Sequence, residues 1–175
     1  IESQFVKMDI PNRHNNYDVS YSKKPENNFE VTSKFDPNVV LIKYYPGIDP
    51  NLIKYAVKTG CRAIVLEGTG LGHVGRKLFP ELAKAIKSGV LIFMTSQCIW
   101  GRLNMKVYDT GRDLIELGVI PLEDMTSEAA VVKAMWAMAN GRDNIEAAKI
   151  MERNIANEIS LKSPINRRLP YYGKD

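Results

Sequence analysis

Histidine, cysteine and long apolar stretches are what this sequence has least of. Two histidines and two cysteines in 175 residues are little material for a metal centre and exclude a disulfide scaffold. No apolar run approaches the roughly 18 residues that a membrane-crossing helix needs, and no basic-then-apolar leader opens the chain. A cytoplasmic protein without a membrane partner is the expectation. Cys61 and Cys98 each sit in or beside an apolar run, which predicts buried, reduced thiols. An initial methionine is absent too: the chain begins at Ile1, which raises the expectation of a piece of something longer, processed or cut.

What is present is ordinary for a globular protein. With 45% hydrophobic and 25% charged residues, the chain can build one well-developed core, and collagen or disorder throughout is excluded. The formal charge of +4 is uneven. Residues 1–38 carry five Lys/Arg against six Asp/Glu, whereas residues 39–175 hold 19 against 14. A basic tail ends the sequence, with Lys162, Arg167, Arg168 and Lys174 against Asp175. Such a tail is compatible with RNA without establishing it.

Residues 1–38 predict an extended lead into the domain, with short strands near 5–10 and 17–21, punctuated by Pro11, Pro25 and Pro37. From Val39 the pattern changes. VVLIKYY, AIVL and VLIFM are continuous apolar runs, the mark of strands buried on both faces. Between them lie helical stripes: Leu52, Ile53, Ala56 and Val57; Leu82, Ala83 and Ile86; and a helix across 110–117. Val119-Ile120 predicts a short fourth strand. Thr126 or Ser127 and then Asp143 with Glu146 are helix-capping signals. They precede two helices whose stripes (Val131, Ala134, Met135, Met138; Ile145, Ala148, Met151, Ile155) read as core. The expected fold is a small open parallel α/β sheet flanked by helices, of the doubly wound type. Its ligand side is the carboxyl edge of the strands, where the loops at 46–49, 67–75 and 95–102 lie.

Those loops offer polar groups but no catalytic constellation. Gly68, Gly70 and Gly72 follow G-x-G-x-G after a second strand, and no Lys-Ser/Thr follows. That is neither a dinucleotide fingerprint nor a P-loop, and it suits close approach of a chain or a small polar ligand. His73 is the domain's one histidine, since His14 lies in the lead. Cys98 with His73 lacks a third, orienting group, and metal ligands are too few. Glu67, at the end of an apolar strand, needs a partner such as Arg102 or nearby loop amides. Thr95, Ser96 and Gln97 suit recognition of an amide or carboxylate, and equally suit bracing of the loop.

The segments IKYYPGIDP (42–50), IVLEGTGLGHV (64–74) and MTSQCIWGRLNMKVYDTGRDLIELGVIPLEDMTSEAAVVKAMW (94–136) resemble the C-terminal domain of the type I L-asparaginase family. Within it they are most similar to the branch formed by the D subunits of archaeal glutamyl-tRNA(Gln) amidotransferases. The resemblance runs through residues 39–160. It implies that residues 1–38 end an N-terminal amidohydrolase domain and its linker, and that 39–175 form the C-terminal domain. The family's catalytic threonines lie in TGGT-like and TDT-like motifs, which are missing here; Thr69 is not the nucleophile. No catalytic residue, cofactor or metal is therefore assigned to this chain. The resemblance also implies a homodimer whose active-site edge includes the loop Glu67, Gly68, Thr69, Gly70, Leu71, Gly72 and His73, with Thr95, Ser96 and Gln97 as further candidates. Leu71 stands where some asparaginases place a substrate-holding asparagine. A partner, the amidotransferase's E subunit, would use ATP with Mg to activate glutamyl-tRNA(Gln), and tRNA(Gln) would meet the complex. Two other readings stay open: part of a free-standing cytosolic asparaginase, and a non-catalytic ligand-binding module.

Overall fold

A computed structural model describes residues 32–160. The strands expected near 5–10 and 17–21, His14 and the basic tail at 161–175 lie outside the described residues. Four strands form one parallel sheet in the order β1 (Val39–Lys43), β2 (Ala63–Gly68), β3 (Leu91–Ser96), β4 (Ile120–Pro121). Register pairs Val65 with Leu41 and Phe93, and Phe93 with Ile120. Side chains on a strand alternate between faces, and here both faces are apolar, which is why the strands read as unbroken hydrophobic runs.

The connections α1 (Asn51–Lys58), α2 (Phe79–Lys87) and α3 (Asp109–Leu117) cover one face, over Ile42, Ile64, Leu66, Ile92 and Met94. The opposite face, carrying Val39, Ala63, Val65 and Phe93, is covered by α4 (Ser127–Asn140) and α5 (Asn144–Glu152). Helices thus lie on both faces of the sheet, as expected. The second layer comes from a helical pair after β4, and strand order runs without reversal.

Local chemistry sets the boundaries. Asp49 Oδ1 accepts the Asn51 N–H at the head of α1, and Gly60, at φ +89°, ends that helix. Thr126 caps α4 through the Ala129 N–H, and Asp143 caps α5 through the Glu146 N–H. Two expectations need correction. The buried stripe of α5 is Ala147 and Met151 with Ile150 beside them, while Ile145 is exposed and Ile155 lies past the helix end. The rotation follows from where α4 lies: the face of α5 that meets it carries the alanine, not Ile145. Cys61 is buried as expected, and burial pushes its thiol pKa up, but Cys98 is exposed. β3 ends at Ser96, and a tight turn with the Gly101 N–H on the Cys98 carbonyl carries the thiol outward.

The segment after α5 is tied down at two points. Lys133 of α4, nearly buried, donates to the Met151 and Arg153 carbonyls and to Glu158. Burial pushes the Glu158 carboxyl up, but the Lys133 ammonium and the N–H groups of Ala156 and Ile155 outweigh it and hold it at about 2. Farther on, Ser160 donates its N–H to Asp124 and accepts from Arg102.

Candidate functional site at the carboxyl edge

The loop after β2 is a closed turn. Thr69 and His73 face each other as an antiparallel bridge, with the Thr69 N–H on the His73 carbonyl at 2.9 Å and the Thr69 hydroxyl on the same oxygen at 3.1 Å. The glycines have packing reasons. A Cβ on Gly68 would lie 2.8 Å from Met94 Sδ, and one on Gly72 would lie 2.7 Å from Leu103 Cδ2. Gly70 and Gly72 also hold positive φ, at +50° and +95°.

The loop's outward carbonyls are taken by the following loop. Ser96 Oγ donates to the Gly70 carbonyl at 2.6 Å, the Gln97 N–H to Gly68 at 2.9 Å, and the Asn104 N–H to Leu71 at 3.1 Å. Gln97 Nε2 donates to the carbonyls of Tyr44 and Glu67, bridging the ends of β1 and β2. Thr95 is wholly buried, its hydroxyl 2.9 Å from Ser127 Oγ. The hydrogen-bonding groups of Thr95, Ser96 and Gln97 are therefore engaged in holding the edge together. Glu67 pairs with Lys43 at 3.1 Å, not with Arg102. Arg102 is turned away from Glu67 and is shared by Glu123 and Asp124.

Beside the loop lies an open depression of about 540 Å³, lined by Thr69, Gly70, Leu71, His73, Tyr108, Asp109 and Thr110. The His73 ring meets Tyr108 edge-on, with centroids 5.1 Å apart. His73 Nε2 is shielded from solvent and has no hydrogen-bond partner among the described residues. An unpaired buried nitrogen costs about 1–3 kcal/mol. Sequence reasoning named Thr69, Gly70, Leu71 and His73 but missed Tyr108, Asp109 and Thr110, about 35 residues downstream. The readable signal was the glycine of DTGRD. A Cβ on Gly111 would come within 2.1 Å of the Met105 carbonyl oxygen, so only glycine lets α3 start here and set Tyr108 against His73.

Asp109 is held in place by its neighbours. The Thr110 N–H and the Arg76 guanidinium lower its carboxyl pKa, and Arg76 also binds Asp113. The Thr69 hydroxyl contacts a backbone carbonyl, not the imidazole, so no nucleophile is joined to a base here. Among the described residues, no three His, Cys, Asp or Glu side chains gather into a metal-binding group, and no helix is long and apolar enough to cross a membrane. The depression is an open wall with polar points.

Residues 38–151 match the glutaminase/asparaginase C-terminal domain family. Over 139 residues the chain is 49% identical to the D subunit of glutamyl-tRNA(Gln) amidotransferase from Sulfolobus acidocaldarius, covering 79% of this chain and 31% of that protein. The corresponding D subunit from Methanobrevibacter smithii is 47% identical over 150 residues, covering 86% and 34%. Among solved structures, the thermostable L-asparaginase from Thermococcus kodakarensis superposes with a TM-score of 0.70 at 39% identity, covering 79% of this chain and 43% of that one. The chain spans about a third of the length of the curated relatives it matches.

Proposed function

The chain belongs to the glutaminase/asparaginase C-terminal domain family, and from that premise we propose that it is the C-terminal part of an amidotransferase subunit that releases ammonia from glutamine or asparagine. The observation that carries the amidotransferase branch is the higher identity to the amidotransferase D subunits, 49% and 47%, against 39% for the solved asparaginase. Residues 1–38 end the preceding amidohydrolase domain and its linker, and residues 39–175 are the C-terminal domain. The nucleophilic threonines lie outside this chain, in a homodimer whose neighbouring protomer faces the depression.

The open depression supports this division of labour. Leu71, His73 and Tyr108 offer a shaped wall and one unsatisfied nitrogen, which suits the edge of a site whose chemistry comes from elsewhere. The closed bonding of residues 95–97 gives that wall a rigid backing. The E subunit, using ATP with Mg, consumes the ammonia on glutamyl-tRNA(Gln) in the cytoplasm; both cofactors belong to that partner.

The test is ammonia release by the longer protein that contains this chain. A severalfold rise with glutamine on adding the E subunit and glutamyl-tRNA(Gln) supports the reading. Asparagine hydrolysis indifferent to both would place the chain in a free-standing asparaginase. The 175-residue chain by itself is expected to turn over neither amide.

A further inference from the structure

We propose that Arg76 is a positioning residue for the amide-releasing site that the depression edges. It clamps the start of α3 to the segment that carries His73, so that His73, Tyr108 and Asp109 meet the substrate as one wall. This role rests on the function proposed above; the clamp itself rests on geometry.

The start of α3 lacks the device that begins α4 and α5. Tyr108 occupies the N-cap position with an extended backbone, φ −110° and ψ 157°, and its side chain makes no capping hydrogen bond. Tyrosine supplies none of the capping that Ser, Thr, Asn or Asp would. The helix also places Asp109 and Asp113 one turn apart, where like charges repel. The helix dipole favours each acid at this end but orients neither. Helix ends built this way fray, and fraying here would part the Tyr108 ring from His73, 5.1 Å away between centroids.

Arg76 supplies what α3 lacks. Its Nη2 donates to Asp109 Oδ2 at 2.9 Å and its Nη1 to Asp113 Oδ2 at 2.5 Å. One planar guanidinium thus holds both carboxylates at a fixed spacing, which an ammonium does not do. Asp109 Oδ1 accepts the Thr110 N–H at 2.7 Å, so the carboxylate is gripped through both oxygens. Arg76 is itself aimed, with its Cζ 5.7 Å from the centroid of the Phe79 ring. Val74 and Leu78, both buried, anchor the backbone on either side of it. His73 directly precedes Val74, so the imidazole and the clamp rise from one anchored segment. From within α3, Arg112 donates to the Lys106 and Val107 carbonyls at 3.0 and 3.3 Å. Tyr108 therefore stands between two points that arginines hold.

Exposure separates positioning from stability. The Arg76 side chain is 56% exposed and that of Asp109 69%, and ion pairs so exposed add little to folding. Orientation of a wall that carries no reacting group acts on substrate binding, and so on KM before kcat.

The test uses the longer protein that contains this chain, with glutamine and asparagine as the amides. Arg76→Met is expected to raise KM about tenfold, with kcat within about twofold. The thermal midpoint should stay within about 3 °C. Arg76→Lys, which reaches one carboxylate at a time, should limit the rise in KM to about threefold. Tyr108→Ala should raise KM too, and the double variant should be no worse than the larger single effect, because Arg76 acts through that ring. A second readout needs no turnover: mass spectrometry of His73 carbethoxylation by diethyl pyrocarbonate. Its rate should rise at least about fivefold in both Arg76→Met and Tyr108→Ala, as the imidazole loses its cover. The proposal is overturned if Tyr108→Ala uncovers His73 while Arg76→Met does not. It is equally overturned if Arg76→Met lowers kcat at unchanged KM, or if its effect on KM adds in full to that of Tyr108→Ala. Should the unaltered protein turn over neither amide, the proposed function falls, and His73 labelling still decides the clamp.

Discussion

Where α1, α2 and α3 cover the sheet, Ile64, Leu66, Ile92 and Met94 meet Ile53, Leu78, Leu82 and Leu114. Where α4 and α5 cover it, Val65 and Phe93 meet Ala130, Ala134, Ala137 and Ala147, with Met138 and Met151 filling between. The first face is closed by branched aliphatic volume. The second is closed by a helix whose small residues let its backbone come near the strands, and by the part-buried Lys133–Glu158 pair. Alanine buries little apolar area, at roughly 25 cal/mol per Å², so the second face depends on fit and on the Lys133 contacts. One face should therefore be hurt by losing volume and the other by gaining it.

The largest effect is expected at the pair. Lys133→Met leaves the part-buried Glu158 without its cation and removes two carbonyl contacts. Urea unfolding should show a loss of about 4 kcal/mol, and a loss below about 1 kcal/mol would mean that the second face closes on alanine alone. The same pair predicts acid sensitivity. Because the folded Glu158 pKa lies below the ordinary 4.5, its stabilisation is complete above that value and drains away as pH falls towards about 2. Stability measured against pH should lose that part of its slope in the variant.

Next comes volume on the first face. Leu82→Ala, at a wholly buried site, should cost about 3 kcal/mol through the cavity it leaves. The opposite substitution probes the other face: Ala134→Leu should cost about 2 kcal/mol by overpacking. Equal tolerance of Leu at position 134 would break the comparison, since it would show room between α4 and the strands. Smallest is the cap. Asp143→Ala removes the acceptor for the Glu146 N–H at 2.8 Å and should cost about 1 kcal/mol, read as a lower midpoint in the same urea titration.

The two faces were not equally legible in the sequence. β1, β2 and β3 announced themselves as runs too apolar for one-sided burial, and the packing stripe of α2 was legible in Leu82 and Ile86. The alanine face was harder, because Ala147 and Ala148 look alike in a pattern and only the position of α4 decides which one is buried. Cys98 misled for a related reason: its neighbours Ile99 and Trp100 are apolar, yet the turn points all three outward. At the candidate site, the 68–73 loop was readable from its glycines, while Tyr108 was not, because its nearness to His73 depends on how α3 sits on the Met105 carbonyl. That Thr95 and Gln97 brace the edge was one of two readings the sequence left open, while their partners, Ser127 and Tyr44, could not be read because they lie far away in the chain.

β4 is two residues long, and one of them is Pro121. A proline nitrogen carries no hydrogen, so that border of the sheet presents few donors to any further strand, and short proline-bearing borders resist pairing. Among the described residues β1, at the other border, has five residues and one strand neighbour. The sheet is thus directional in its capacity to grow. A strand supplied by another domain or another copy finds a receptive backbone beside Leu41 and a closed one beside Ile120, so an assembly built by strand addition would be capped on one side from the start.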